Sequence, residues 1–276
     1  MGDPMAIQMS PRPNNNSQFS NSNENIYSWG PDATTTPVTG ALPVQAARNR
    51  LDLASLCIAI ITISYYILSL LLSRKIDLYD GFFTPGQNSL LMLGATGTIP
   101  IDRFGRIWSL VSATYLHGGL LHLLFNLVAL FSIGPWVSYE YGKSRMFIIY
   151  TLAGITGYGV SYVARIPFTV GSSAAVCGLI GALLYFGKTM SHIYGNTIYK
   201  KVLGWIISLF LFGLFVPSIN NWCHAGGLLG GYLAGRLFGY RHQYRENLFH
   251  HMCACICALI TINTLCWALF GARLTN

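Results

Sequence analysis

The sequence predicts an all-α fold, a polytopic membrane protein built as a bundle of seven transmembrane helices. The chain has 276 residues, of which 53% are hydrophobic and only 9% are charged. A soluble domain of this length carries roughly a quarter charged residues. Apolar runs of about 20 residues, long enough to cross a bilayer, recur along most of the chain after residue 50. These two observations decide the fold class.

The segment before the first apolar run, residues 1–50, is rich in Asn, Ser, Pro and Thr. Such a composition cannot bury enough apolar surface to order itself. It also lacks the apolar core of a signal peptide. We therefore predict a disordered polar tail on the cytoplasmic side.

Seven apolar segments follow, and we predict a membrane-spanning helix in each: 52–73, 116–136, 146–165, 172–188, 201–217, 222–239 and 249–271. The first two are joined by a long loop, 74–105, which is too apolar to be fully solvated. We expect it to lie partly in the membrane interface. This divides the chain into a tail (1–50), a six-span core (51–245) and a seventh helix with a short C-terminus (246–276).

The distribution of Lys and Arg predicts the orientation. With a cytoplasmic N-terminus, eleven of these residues fall on the cytoplasmic side and six on the other, as the positive-inside rule requires. The second, fourth and sixth helices then begin at the extracytoplasmic face. The formal charge of +8 forms no dense patch, so we predict no nucleic-acid partner.

Each of those three helix starts carries polar side chains. Ser173 begins the fourth helix and His224 the sixth, and an ionisable residue inside a span is a functional hypothesis by default. A lone buried His is often only a hydrogen-bonded structural residue. Here, however, small residues on both helices allow close backbone approach, namely Gly178, Gly181, Gly227, Gly231 and Gly235. We therefore predict that the Ser173 hydroxyl meets the His224 imidazole, the pair that nucleophilic catalysis needs.

The acidic residues predict a dyad without a carboxylate. None of the nine Asp and Glu residues falls in the outer part of the fourth or sixth helix, and Asp102 in the long loop is the one remote candidate for a third member. His122 and Asn126, at i and i+4, share one face of the second helix. We assign them, with the Ser173 backbone N–H, to stabilising an oxyanion. The alternative for His122 and Asn126 is interhelical hydrogen bonding alone.

The seven cysteines fall within or beside apolar segments, so we expect neither disulfides nor zinc. The run from His250 to Cys257 contains two His and three Cys, but on a helix side chains at i and i+2 point about 200° apart and cannot share one ion. We predict no metal and no cofactor.

Together these residues resemble the rhomboid family of intramembrane serine proteases. The matching pieces are His117-x-x-x-x-His122-x-x-x-Asn126, Gly171-x-Ser173, His224-x-x-Gly227-x-x-x-Gly231 and the segment Glu140-Tyr141-Gly142-Lys143-Ser144-Arg145. The resemblance implies a six-helix core plus one extra C-terminal transmembrane helix. It implies cleavage of single-span or multi-span membrane protein substrates in the lipid bilayer. It assigns Ser173 as nucleophile, His224 as base, His122 and Asn126 as oxyanion donors, and His117 and Gly171 as supporting residues.

Three positions depart from the family pattern. Ala174 follows the nucleophile where the family usually has Gly, Cys177 stands where an aromatic often stacks on the catalytic His, and Ser109 follows Trp108 where Arg is usual. They keep a second hypothesis open, a catalytically inactive rhomboid-like protein that binds membrane helices for trafficking or degradation. A transporter is disfavoured, because no inverted repeat of spans and no intramembrane charge for a solute is evident.

Overall fold

A computed structural model describes residues 52–76, 83–190, 192–216, 219–241 and 243–271. The predicted tail, 1–50, lies outside these ranges. Within them the chain is all-α: the one β-type pairing is an isolated antiparallel bridge between Thr96 and Thr169. The predicted fold class is confirmed.

Seven long helices account for most of the described chain. Two short helices lie between the first two long ones, so nine α-helices follow in order: α1 (Leu53–Ile76), α2 (Gln87–Met92), α3 (Ser109–Ser112), α4 (Leu120–Tyr141), α5 (Lys143–Val163), α6 (Ser173–Thr189), α7 (His192–Phe215), α8 (Asn221–Phe238) and α9 (Leu248–Cys266). A π-helical turn at Ile99–Arg103, a 3-10 turn at Ala113–Tyr115 and a π-helical turn at Trp267–Gly271 complete the order.

Five of these helices are long and apolar enough to cross a membrane, by length and composition: α1, α4, α5, α7 and α9, the last with its π-helical turn. Helix α6 is apolar but shorter, with 17 residues. Helix α8 is not among the five, because seven of its 18 residues are glycine or alanine and it also contains Asn221, His224 and Arg236. The described chain is therefore a multi-pass membrane protein in which α6 and α8 are embedded among longer apolar helices.

The boundaries of the long helices differ from the predicted spans by one to five residues, except at the start of α7, where the difference is larger. Helix α7 begins at His192, nine residues before the predicted start at 201, because the polar residues ahead of the apolar run continue the helix. Helix α4 begins at Leu120 instead of 116. The preceding Gly118-Gly119 pair is non-helical, so His117 lies in the loop before α4.

Helix α6 is the centre of the bundle. It packs against α4, α5, α7 and α8, and most of its residues are buried. Its 17 residues rise about 25 Å, less than the roughly 30 Å hydrocarbon thickness of a bilayer. A helix of this length that reaches one membrane surface must begin below the other, and its first residue is Ser173.

The predicted close approach of α6 and α8 is confirmed. A Cβ added to Gly231 would lie 1.9 Å from the Gly178 carbonyl oxygen, and one added to Gly227 would lie 2.1 Å from the Ala174 carbonyl oxygen. On the other helix, a Cβ at Gly181 would lie 2.1 Å from the Leu228 carbonyl oxygen. The two backbones are in direct contact, and no side chain fits between them at these positions.

The loop between α1 and α4 fastens the segment that leads into α6. Backbone hydrogen bonds join Thr96 to Thr169 in both directions, and Thr98 N–H donates to the Ile166 carbonyl at 2.9 Å. The buried Arg106 donates to the Leu91 carbonyl at 2.7 Å, and its guanidinium lies 6.0 Å from the Trp108 ring. The cation beside Trp108 is therefore Arg106, two residues before it, whereas the family usually has an Arg one residue after this Trp.

The opposite end of the core is attached to the C-terminal helix. The Arg145 side chain is fully buried and donates to the carbonyls of Tyr141, Tyr244 and Arg245. The Glu246 carboxylate accepts from the N–H groups of Ser144 (2.9 Å) and Arg145 (3.1 Å), which caps α5. The segment ahead of α9 is thus bonded to the start of α5.

Candidate active site

The predicted nucleophile and base are in contact. Ser173 Oγ and His224 Nε2 lie 2.9 Å apart, from the first turns of α6 and α8, and both side chains are half-buried. Because Gly227 lies one turn after His224 and packs on Ala174, the same backbone contact that joins the helices also sets this distance.

Catalysis by this pair needs one particular His224 tautomer. A serine hydroxyl donates to an imidazole only when the accepting nitrogen carries no proton, so the neutral ring must then hold its proton on Nδ1. The buried Nδ1 has no hydrogen-bond partner among the described residues. Asp102, the remote candidate for a third member, instead accepts from the Tyr162 hydroxyl at 2.7 Å and pairs with Arg165 at 3.5 Å. Among the described residues the pair therefore has no carboxylate member, and we name Ser173 with His224 the dyad.

The dyad opens into a cleft of about 1540 Å³ between α4, α6, α7 and α8, with residues 83–90 at one edge. Most lining side chains are apolar, including Phe125, Val176, Ile180, Trp205 and Leu209. None of the described lining residues is Asp, Glu, Lys or Arg. The cleft therefore favours an uncharged, largely apolar occupant around the Ser173 hydroxyl.

His122 and Asn126 line the same cleft. A Cβ placed on Gly171 would lie 2.7 Å from Cε1 of the His122 ring, so that ring rests on the backbone just before Ser173. One N–H of the Asn126 amide donates to the His122 carbonyl at 2.9 Å, which leaves its second amide N–H for another acceptor. Both predicted oxyanion residues thus line the cleft that contains Ser173, and one amide proton of Asn126 is bonded within its own helix.

His117 is fully buried and lies next to His122, with its ring centroid 5.0 Å from that of His122. Its Nε2 faces Ser172, at 3.4 Å from the backbone nitrogen and 3.3 Å from Oγ. The neighbouring hydroxyl of Ser172 therefore points at His117, and the hydroxyl of Ser173 points at His224. This arrangement agrees with the choice of Ser173 from the Gly-x-Ser spacing.

Two residues at the site were not identified from the sequence. Asn220 caps α8 by accepting from Cys223 N–H at 3.1 Å, and its amide donates to Ser161 Oγ at 2.6 Å. Tyr158 is buried on α5, and its hydroxyl reaches the carbonyls of Gly171 and Ala113. The N-cap was readable as an Asn ahead of the helix, whereas nothing in the spacing of Tyr158 indicates its contact.

The two departures closest to the dyad leave the cleft open. The Ala174 methyl is fully buried in a small cluster with Ala113, Tyr158 and Cys223, and Ala174 does not line the cleft. It faces Gly157, where an added Cβ would lie 2.7 Å from that methyl. Cys177 does line the cleft and is buried, so a side chain smaller than an aromatic occupies this position of the lining.

Comparison with known proteins gives a family match. The Rhomboid domain family model matches residues 105–241, about half of the chain. The chain is 40% identical over 126 residues to rhomboid protease GluP of Bacillus subtilis (strain 168), covering 46% of this chain and 25% of that protein. It is 32% identical over 149 residues to inactive RHOMBOID-like protein 8 of Arabidopsis thaliana (52% and 42%), and 31% identical over 129 residues to putative rhomboid protease YdcA of Bacillus subtilis (46% and 64%).

The chain spans a quarter of the length of rhomboid protease GluP and about two fifths of the length of inactive RHOMBOID-like protein 8. The matched region contains Ser173, His224, His122 and Asn126, and all of the cleft lining except residues 83–90. On the family match, the named relatives and the helical bundle together, the chain belongs to the rhomboid family.

Proposed function

We propose that this protein is an intramembrane serine endopeptidase that cleaves transmembrane segments of other membrane proteins with a Ser–His dyad. The observation that carries the proposal is the 2.9 Å contact between Ser173 Oγ and His224 Nε2 in an apolar cleft. A relative named as a rhomboid protease, 40% identical over the shared region, supports it.

The geometry suits acyl transfer in the usual order. Ser173 Oγ attacks the carbonyl carbon of the scissile peptide bond while His224 Nε2 takes the hydroxyl proton. The tetrahedral intermediate then expels the amine, which receives that proton from Nε2. Water attacks the resulting acyl-enzyme with the same nitrogen as base, and Ser173 regains its proton as the acid product leaves.

The negative charge on the substrate oxygen needs donors in place before it develops. The free N–H of the Asn126 amide, the His122 ring and the Ser173 backbone N–H supply them. Since Ser173 is the first residue of α6, its N–H has no partner from a preceding helical turn, and the positive end of the helix dipole lies there. His117 and Gly171 support these donors, because His117 contacts the backbone N–H of Ser172 and Gly171 packs against the His122 ring.

The cleft supports a proposal for the substrate, and the distribution of Lys and Arg supports one for the orientation. Its uncharged walls suit a transmembrane segment of a single-span or multi-span membrane protein, presented from the lipid bilayer. The excess of Lys and Arg in the loops on one side supports a cytoplasmic N-terminus, and the cleft then opens to the extracytoplasmic side. Residues 51–245 form the catalytic core in this proposal, with the seventh helix in 246–276.

A second candidate is a catalytically inactive rhomboid-like protein that holds membrane helices for trafficking or degradation. One relative, 32% identical over 149 residues, is named as inactive. Cys177, at the position where the family often has an aromatic that stacks on the catalytic His, is the feature of this chain that favours it. The two candidates differ in one property, the reactivity of Ser173.

The test uses the purified full chain in detergent or liposomes, with a reporter whose transmembrane segment contains small, helix-weakening residues. Wild type is compared with Ser173→Ala, His224→Ala and Ser172→Ala, the last a matched control for the neighbouring hydroxyl. A serine-directed fluorophosphonate probe, followed by peptide mapping, reports nucleophilicity without any reporter.

We expect wild type and Ser172→Ala to cleave the reporter and take up the probe at Ser173. We expect Ser173→Ala and His224→Ala to lose cleavage. Unchanged cleavage by Ser173→Ala would remove that residue from the mechanism. A folded wild type that neither cleaves nor labels would favour the inactive, helix-binding protein.

A further inference from the structure

The peptide unit between Gly171 and Ser172, directly before the nucleophile, is held at its carbonyl end. The Gly171 carbonyl accepts a hydrogen bond from the Tyr158 hydroxyl. Helix α6 offers no replacement donor, because its first bond runs from Val176 N–H to the Ser172 carbonyl. Tyr158 is therefore the hydrogen-bond donor for this carbonyl among the described residues.

The same peptide unit is held at its amide end. Ser172 N–H points at Nε2 of the fully buried His117, at 3.4 Å. A backbone N–H can only donate, so Nε2 must be the unprotonated nitrogen of a neutral ring. The carbonyl end and the amide end are thus fixed by side chains from two different segments, α5 and the loop before α4.

Gly171 adds a third restraint. Its φ is +133°, which favours glycine, and its N–H donates to the Ala113 carbonyl at 3.0 Å. The Tyr158 hydroxyl also lies 3.1 Å from that Ala113 carbonyl. The Tyr158 hydroxyl therefore lies between the 3-10 turn at Ala113–Tyr115 and the extended segment that leads to Ser173.

We propose that Tyr158 is a positioning residue for acyl transfer, which sets the direction of the backbone N–H of Ser173 by holding the Gly171 carbonyl. The inference rests on the proposed function. Tyr158 does this from α5 through its hydroxyl alone, while its ring packs with Ala113, Ala174 and Cys223.

The physical reason is the shortness of the connection. The Gly171–Ser172 peptide unit is one residue from the N–H that would donate to the oxyanion. Without the hydroxyl, the carbonyl would be left buried and unpaired, a state that a small rotation of this peptide relieves. Such a rotation turns the next N–H as well, and a misplacement of about 1 Å at a reacting centre can cost on the order of a hundredfold in rate.

The test is Tyr158→Phe, which removes the hydroxyl and keeps the ring. Tyr141→Phe is the matched control, because Tyr141 is also fully buried and its hydroxyl also donates to a backbone carbonyl of α6, that of Ala182 at 2.7 Å. It lies outside the cleft lining. Steady-state cleavage, the rate of fluorophosphonate labelling and thermal unfolding are measured for both variants.

We expect Tyr158→Phe to lower kcat on the order of tenfold to a hundredfold with little change in KM, since the donor it orients acts on the transition state. Labelling of Ser173, which passes through a similar charged intermediate, should slow in parallel. Tyr141→Phe should lower the unfolding temperature to a similar degree and leave kcat unchanged.

A second measurement separates positioning from general loosening. If Tyr158 and His117 hold the two ends of one peptide unit, the losses in kcat from Tyr158→Phe and His117→Ala should be less than additive in the double variant. Fully additive losses, or equal losses of kcat in Tyr158→Phe and Tyr141→Phe, would overturn the inference. A wild type that does not label would defeat the proposed function instead, so the two failures are distinguishable.

Discussion

The contact between Gly227 and Ala174 makes Gly227→Ala the most informative single substitution in the bundle. Gly227 follows His224 by one helical turn, and Ala174 follows Ser173 directly. A Cβ at position 227 would lie 2.1 Å from the Ala174 carbonyl oxygen, 2.8 Å from its carbonyl carbon and 3.1 Å from its Cα. Ordinary contact starts near 3.4 Å, so the two backbones must part by about 1 Å for the methyl to fit.

That displacement falls on the dyad. Ser173 Oγ and His224 Nε2 are 2.9 Å apart, and a further separation of about 1 Å takes them beyond hydrogen-bond range. A shift of this size at reacting groups costs on the order of a hundredfold in rate, or about 2.7 kcal/mol of transition-state stabilisation. We expect kcat/KM for the transmembrane reporter to fall by this factor in Gly227→Ala, with the labelling rate of Ser173 reduced in parallel.

Gly204→Ala is the control, because Gly204 lies on α7 with nothing within 4 Å of an added Cβ. There the exchange should be neutral or stabilising by up to about 1 kcal/mol, since Ala favours a helix over Gly. Circular dichroism and thermal unfolding show that each variant is folded. A folded Gly227→Ala protein with wild-type kcat/KM would refute the argument that backbone contact between α6 and α8 sets the dyad distance.

Three further predictions follow from the same structure. Asn126→Ala should slow turnover by roughly two orders of magnitude in a folded protein; an unchanged rate would leave Asn126 with only its bond to the His122 carbonyl. Glu246→Ala, which leaves two N–H groups of α5 uncapped, should cost about 1 kcal/mol of stability in a thermal-unfolding assay and leave kcat unchanged. Ala174→Gly should lower stability by about 1–2 kcal/mol without raising kcat, because the methyl faces Gly157 and not the cleft; a large gain in kcat would show instead that the methyl obstructs the site.

The features that were predictable from the sequence are those set by the spacing of apolar and glycine residues and by the order of the helices along the chain. Apolar runs locate helices, and the number of crossings between Ser173 and His224 places both at one end of the bundle. Glycines at spacings of three and four residues mark the faces that touch, and the contacts of Gly227 and Gly231 are those expected. The contact of the hydroxyl with the imidazole follows from these two patterns together.

What was not predictable depends on contacts between residues distant in the chain. Tyr158 and Gly171 are 13 residues apart, on either side of a loop whose path is set by its pairing with Thr96. The direction of the Tyr158 side chain has no signature in an apolar helix. The early start of α7 at His192 was missed for another reason: the helix continues through polar residues beyond the apolar run that predicted it.

In the described part of the chain His224 has no carboxylate partner, and the way α8 is held accounts for the position of its ring without one. In a soluble serine hydrolase an acid orients the imidazole and bonds to Nδ1, whereas here Nδ1 is buried without a partner among the described residues. A carboxylate at that depth would carry a large desolvation cost. The position of the ring is set instead by its backbone: Asn220 caps the helix start and bonds to Ser161 of α5, and Gly227 locks the next turn onto α6. In the proposed mechanism, packing of small residues therefore orients the ring. We expect this site to tolerate a change beside the proposed nucleophile such as Ala174, with Gly157 opposite, more readily than a side chain at position 227.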